Sequence, residues 1–158
     1  MKEPPWLEPP ALEVVSMILS SHQAAFSSPL LAGIPINVNP RLAAQEVFCA
    51  DHVVLAHDGS SDPRFIYANA AAIRLWRRRW EEMIGLPSRL TAEPEEQRAR
   101  AEALALAQRQ VGLVGYTGIR VDRTGHRFRV EGAKVWTLQD AEGTIRGQAA
   151  GFSNWSLL

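Results

Sequence analysis

The stretch "DHVVLAHDGSSDP" (residues 51–63) gathers two histidines, three aspartates and two serines, the side chains from which acid–base pairs and metal sites are made. Aspartate, glycine and serine at this density are also the composition of a turn, and "DGSSDP" is read as one. His52 and His57 stand five apart on what reads as a strand, so they face opposite sides and do not share a metal without a bulge. Elsewhere the chain has no nucleophile elbow, phosphate loop or His-Glu metal spacing. One enzyme reading stays open: His57 or His126 as general base, with Arg89 as anion clamp. The chain is nevertheless taken as a binding module without a reaction of its own.

Arg89 lies in "LPSRL", flanked by Leu86, Pro87 and Leu90. An arginine in apolar company needs a partner if it is buried. Its planar fork suits a ligand carboxylate, and a structural salt bridge to Glu93 or Glu131 is the alternative. Arg74, Arg77, Arg78 and Arg79 form a basic run beside Trp76 and Trp80. Such a run serves nucleic-acid binding in some proteins. Here it reads better as a helix end whose arginines favour the negative C-terminal dipole. Trp76, Trp80, Tyr116, Phe128 and Trp136 are the aromatics expected at a crevice between sheet and helices, where apolar pockets with a few polar groups hold ligands. Gln148 offers an amide that both donates and accepts. Asn69 is expected to cap a helix, with a ligand contact as the alternative. Trp155 is expected at the domain end or at a dimer seam.

These residues must be positioned by a chain of 158 residues, the length of one domain. Apolar residues make up 46% and charged residues 22%, and seventeen basic residues balance seventeen acidic ones, which gives no long-range pull toward nucleic acid or an anionic membrane. The single Cys49 excludes an internal disulfide and suits a reducing cytoplasm. "MKEPPWLEPP" has no signal-peptide pattern, and "ALEVVSMIL" is about half the length needed to span a bilayer. A cytoplasmic protein is expected.

Residues 1–10 read as an extended proline-rich arm and 11–158 as the domain. A helix follows in "ALEVVSMILSSHQAAF", with Leu12, Val15, Leu19 and Phe26 near one stripe. Residues 27–40 read as a loop and "RLAAQEVFCA" as a short helix. "DHVVLAHDG" and "RFIYAN" read as a hairpin of two strands. From Asn69 the pattern turns helical, with Ala72, Leu75, Trp76 and Arg79 on one face. After Gly85 and Pro87 a longer helix begins near Pro94. Glu96 and Arg100 pair along it, and Leu104, Ala107 and Val111 form its inner stripe. Three strands close the chain, linked by "DRTG" and "DAEG" turns. The apolar parity of the middle strand shifts at Gly132, the mark of a bulge. The fold class is α+β: a five-stranded antiparallel sheet with a helical insert after strand 2, an N-terminal helix, and helices packed on one face.

"RFIYANAAAIRLW", "EEMIGLPSRL" and "DRTGHRFRVEGAKVWTLQDAEGTIRGQAAGFSNW" resemble the strand–Asn–helix passage, the second helical segment and the last three strands of PAS domains. More narrowly, "YANAAAIRLW", "LPSRLTAEP", "VWTLQDAEGTIRGQAAGFSNW" and "NWSLL" resemble the MEKHLA domain family, a PAS-related group of small bacterial proteins. The same domain ends the plant class III homeodomain-leucine zipper transcription factors. The resemblance covers roughly residues 10 to 158. The literal string Met-Glu-Lys-His-Leu-Ala is absent, and no DNA-binding segment precedes the domain, so a DNA-binding role is not carried over.

The resemblance implies sensory or regulatory binding rather than a defined reaction. PAS relatives hold flavin, haem or small metabolites between sheet and helices, or hold nothing and dimerise. Photoactive flavin domains need a cysteine in the insert, and residues 70–111 contain none. Haem relatives ligate iron through a histidine there, and His22, His52, His57 and His126 all lie outside it. His57 or His126 would be an unorthodox haem ligand, and non-covalent flavin stays open, so the cofactor is unknown. The expected ligand-binding set is Asn69, Trp76, Trp80, Arg89, Tyr116, Phe128, Trp136 and Gln148, with no catalytic or metal residues. The expected partners are a small molecule and a second copy or partner protein, met through the N-terminal helix and arm.

Overall fold

The computed structural model describes residues 2–33 and 39–158. The middle of the loop expected over 27–40 therefore lies outside the described residues. The chain opens with a one-turn 3-10 helix, Pro5–Leu7, rather than an extended arm. The Trp6 ring stacks on Phe48 with centroids 4.2 Å apart, and Leu7 is buried. Prolines suit this course, because they fix φ without needing a donor in a first helical turn. Helix α1 (Pro9–Phe26) follows directly, and α2 (Pro40–Cys49) starts where the Asn39 side chain accepts from the N–H groups of Arg41 and Leu42.

Strands β1 (Val53–Asp58) and β2 (Phe65–Ala68) form the expected antiparallel hairpin. Asp58 closes its turn. Its Oδ1 accepts from the N–H groups of Ser60 and Arg64 and from the Ser60 hydroxyl. That carboxylate is spent on the turn. Helix α3 (Ala70–Trp76) is stopped by Arg77 in the left-handed region, so Arg79 does not extend its face. Arg79 instead begins α4 (Trp80–Met83), and a 3-10 turn at Ser88–Thr91 leads to α5 (Pro94–Gln110).

Strands β3 (Gly112–Val121), β4 (Arg127–Gln139) and β5 (Ile145–Phe152) complete the sheet in the order β2-β1-β5-β4-β3. The last expected strand breaks at Ser153 and continues as β6 (Asn154–Leu157), which pairs with the first half of β4. This break answers the Gly132 bulge across the ladder. Tyr116 pairs with Ala133 and Gly118 with Val130, so β4 carries one residue more than β3 between these pairs. Gly132 takes a φ of 66°, which glycine adopts at no steric cost.

Helices pack on both faces of the sheet, not on one. On one face Val15, Ile18 and Leu19 of α1 meet Val54, Ala56, Trp136 and Leu138, with Ala44 and Val47 of α2 beside them. On the other, Trp76 and Ala72 of α3 meet Leu55, Phe128, Val130, Ala133 and Phe152. Period-two alternation makes this possible, since each strand sends successive side chains to opposite faces. Two apolar layers result, and only the second is roofed by the insert.

Two further expectations are corrected along α5. Val111 is not on the inner stripe: it caps the helix in the left-handed region and is exposed. Arg100 does not pair with Glu96. It turns inward on the stripe with Leu104 and Ala107, while Arg98 and Glu102 make the surface pair.

Candidate functional site

Between the insert and the sheet lies a cavity of about 70 Å³. Leu55 and Phe65 form one wall, and Val130, Ala133, Val135 and Ala150 form the floor. Trp76 closes one end, and α5 lies across the top with Arg100 and Leu104 facing in. The polar groups on its wall are His57, Ser88, Thr91, Tyr116, Arg120 and Gln148.

His57 reaches the cavity because it stands two residues beyond Leu55 on β1 and so shares its face of the sheet. A Cβ on Gly147 would strike the His57 carbonyl oxygen, so only glycine lets the strands pass there. The His57 Nδ1 lies 2.9 Å from the Asp58 carbonyl oxygen, to which it must donate. The Nε2 is therefore the lone-pair nitrogen, and it is buried without a partner among the described residues. Burial pulls the imidazole below its ordinary value of 6.5, and the Arg100 charge adds to that pull.

Arg100 is 8% exposed and donates to the Ser88 hydroxyl. Burial pushes its guanidinium down to about 10, helped by the charge of Arg120. Arg120 donates to the Tyr116 hydroxyl at 2.6 Å and to its neighbour's carbonyl at 2.9 Å, with its cation 5.3 Å from the Tyr116 ring centre. Gly118 leaves the room beneath, since a Cβ there would meet the end of the Tyr116 side chain. Gln148 donates to the Leu104 carbonyl at 2.7 Å and so ties β5 to α5.

Of the residues expected to bind a ligand, Trp76, Tyr116 and Gln148 line this cavity. Phe128 packs beside it, 5.1 Å from the Trp76 ring, without lining it. Asn69, Trp80, Arg89 and Trp136 are elsewhere. Asn69 is fully buried and spends its whole amide on the backbone of Val54, Ala72, Val47 and His52. Trp80 joins Trp6, Phe48 and Tyr67 at the edge of the first layer. Arg89 is half exposed and pairs with Asp62 at 3.1 Å, not with Glu93 or Glu131. Trp136 lies on the α1 face, where its indole N–H donates to the Ile18 carbonyl.

The other candidates disperse as well. His126 directly follows the "DRTG" turn, 2.8 Å from the Thr124 hydroxyl. Burial pushes the Asp122 carboxyl of that turn up, but hydrogen bonds from Thr124 and His126 outweigh it and hold it below the usual range. Arg77 faces Asp122, and Arg79 faces Glu82. Trp155 is exposed on β6. Among the described residues no cluster of three or more His, Cys, Asp or Glu is placed to hold a metal. Arg100, Arg120, Ser88 and Thr91 escaped the sequence reading. The one signal in the sequence was a charge, Arg100, on the same helical stripe as Leu104 and Ala107.

Three histidines carry a pH dependence. Burial lowers His22, His52 and His57 below 6.5, and Lys134 adds to the effect at His22 and His52. The unfolded chain protonates these rings near 6.5, while the folded chain resists. Their stabilising contribution is therefore complete above that pH and is lost as the pH falls toward the depressed folded values. The melting temperature is expected to drop between pH 7.5 and 5.5, before the carboxylates titrate. A flat or rising melting temperature across that window would contradict it.

The family model described as the MEKHLA domain matches residues 12–157. Among solved structures, the PAS domain of a protein from Colwellia psychrerythraea aligns with a TM-score of 0.63 and 14% identity, covering 75% of this chain and 95% of that one. An RNA-binding light-oxygen-voltage receptor aligns with a TM-score of 0.59 and 21% identity, covering 79% of this chain and 35% of the receptor. A light-oxygen-voltage domain studied with a flavin analogue aligns with a TM-score of 0.57 and 16% identity, covering 78% of this chain and 87% of that one. At these identities the likeness establishes the fold. No curated protein matches the chain.

Proposed function

The chain belongs to the MEKHLA domain family, within the PAS-like superfamily, and on that premise we propose that it is a sensory or regulatory module. It holds a small molecule in the cavity between sheet and insert and passes its state on through protein–protein contacts or dimerisation. One observation carries the reading: His57 Nε2, on the wall of a largely apolar cavity, is buried with no partner among the described residues. A buried acceptor left unmade costs about 1–3 kcal/mol, and a ligand donor would recover it. Apolar walls with a few converging polar groups are the ordinary build of a ligand site.

A thiol-dependent flavin photocycle has no partner in this cavity: no cysteine lines it, and Cys49 is exposed. The enzyme alternative finds no assembled site, since Arg89 and His126 do not join His57 on the cavity wall. The nucleic-acid alternative is weakened because Arg77 and Arg79 face acids. No helix among the described residues is long and apolar enough to cross a membrane. The exposed thiol of Cys49 suits a reducing compartment such as the cytoplasm.

Native mass spectrometry of the purified protein, read beside its absorbance, tests the proposal. A bound small-molecule mass is expected on the wild type and not on Ala150→Leu, which fills the floor of the cavity. The variant should stay folded, because its added methyl groups enter existing space. A bound mass that survives Ala150→Leu would place the ligand elsewhere and overturn the reading.

A further inference from the structure

The charge balance around the cavity narrows the ligand, on the reading that the cavity is the ligand site. Arg100 and Arg120 both face it, from α5 and β3. Among the described residues neither has a carboxylate within ion-pair distance, although eight other arginines are paired with acids. Asp62, whose field reaches Arg100, is already held by Arg89 at the surface. The neutral partners that remain are hydroxyls and one carbonyl: Ser88 for Arg100, and Tyr116 and the Ile119 carbonyl for Arg120. Arg100 is buried and Arg120 half-buried; a buried charge is normally paired, and two cations facing one space with little water repel each other. The cavity is short of one negative charge.

The rest of the wall fixes what kind of anion would supply it. Leu55, Phe65, Val130, Val135 and Phe152 offer no hydrogen bond, and Thr91 and Gln148 already donate to the Ser88 and Leu104 carbonyls, so a compact, heavily hydrated anion such as phosphate would replace its shell with only the two guanidinium groups and the Ser88 and Tyr116 hydroxyls. A carboxylate needs only the two guanidinium forks, whose planar donors match its two oxygens. Its apolar body then lies on the sheet. His57, with Nδ1 committed to the Asp58 carbonyl, presents an acceptor at Nε2 and calls for a donor on that body. We propose that the cavity takes a small organic monocarboxylate, its carboxylate clamped between Arg100 and Arg120 and a hydroxyl or N–H on its apolar body donating to His57 Nε2.

The test is calorimetric titration of the full chain with butyrate, 3-hydroxybutyrate, benzoate and 4-hydroxybenzoate. Butyramide and benzamide, indole and inorganic phosphate are titrated beside them. The acids are expected to bind about 10- to 100-fold more tightly than their amides, the range for a hydrogen bond to a charged partner. The hydroxy acids should exceed the plain ones, and phosphate should not bind. Arg100→Met and Arg120→Met should each lose the preference for acid over amide.

A second readout separates ligand binding from a structural role. Arg100→Met removes a buried, uncompensated charge, so the ligand-free protein should melt at the same temperature or higher. An arginine kept for the fold would instead lower it. Equal binding of acids and amides, or an acid preference unchanged in Arg100→Met, overturns the carboxylate assignment and leaves the ligand site standing. Failure of every probe, indole included, overturns the assignment and the cavity reading together.

Discussion

Trp136→Ala is expected to lower stability by about 3–5 kcal/mol, the usual cost of emptying a large buried aromatic site. Trp136 is fully buried on the α1 face of β4. Its ring stands edge-on to His22 with centroids 4.9 Å apart and to Phe26 at 6.0 Å. Its indole N–H donates to the Ile18 carbonyl at 3.3 Å and so pins the middle of α1 to the centre of the sheet. Truncation leaves a hole between α1 and the sheet, which close-packed neighbours fill poorly. Domains of this size hold about 5–15 kcal/mol in all, so the loss takes a large share. Chemical denaturation measures it. Trp136→Phe should keep most of the packing and lose less. If Trp136→Ala instead removed ligand binding at unchanged stability, the placement of this side chain away from the cavity would be wrong.

Asn69→Ala is expected to be nearly as damaging, for a different reason. The Asn69 Oδ1 accepts from the Ala72 N–H at 3.1 Å and from the Val54 N–H at 3.0 Å. Its Nδ2 donates to the carbonyls of Val47 at 3.0 Å and His52 at 2.7 Å. One side chain thus joins α2, β1 and α3. Losing the cap costs about 1 kcal/mol. Each buried group left without a partner adds about 1–3 kcal/mol, though the terms overlap. A total of about 3–4 kcal/mol is expected from the same denaturation experiment. Asn69→Ser restores only the cap and should recover about 1 kcal/mol. Asn69→Asp should not rescue, because it sets a buried carboxylate against two carbonyl oxygens. A loss below about 1 kcal/mol for Asn69→Ala would show that capping is its whole role.

Both residues were candidate ligand contacts by type, and their placement shows where local reading stops. Asn69 as an N-cap was legible, since capping is a contact between residues three apart. Its other hydrogen bonds reach β1 and α2, at sequence separations that no local pattern reports. The parity shift at Gly132 already set Trp136 opposite to Phe128, Ala133 and Val135. Alternation separates the two faces of a sheet but does not say which face the insert will roof. Arg89 and Arg100 show the same limit. "LPSRL" drew attention to an arginine among apolar neighbours, yet the turn exposes it to Asp62. Arg100, four residues after Glu96, looked like half of a surface pair, yet α5 lies on the sheet with that side inward.

What the sequence by itself determined was local and periodic. Caps, turns, the bulge and the alternation of β4 are written in residues within a few positions of one another, and they were enough to specify an antiparallel sheet with an insert. The tertiary structure alone decided which arginines are buried, because the rotation of α5 about its axis is set by packing against β3 and β4 rather than by its own weakly amphipathic pattern. It alone brought His57, Arg100 and Arg120 to one cavity, from a strand, a helix and another strand far apart in the chain. Charges that no acid neutralises become visible only when burial has removed the water that would otherwise hold them.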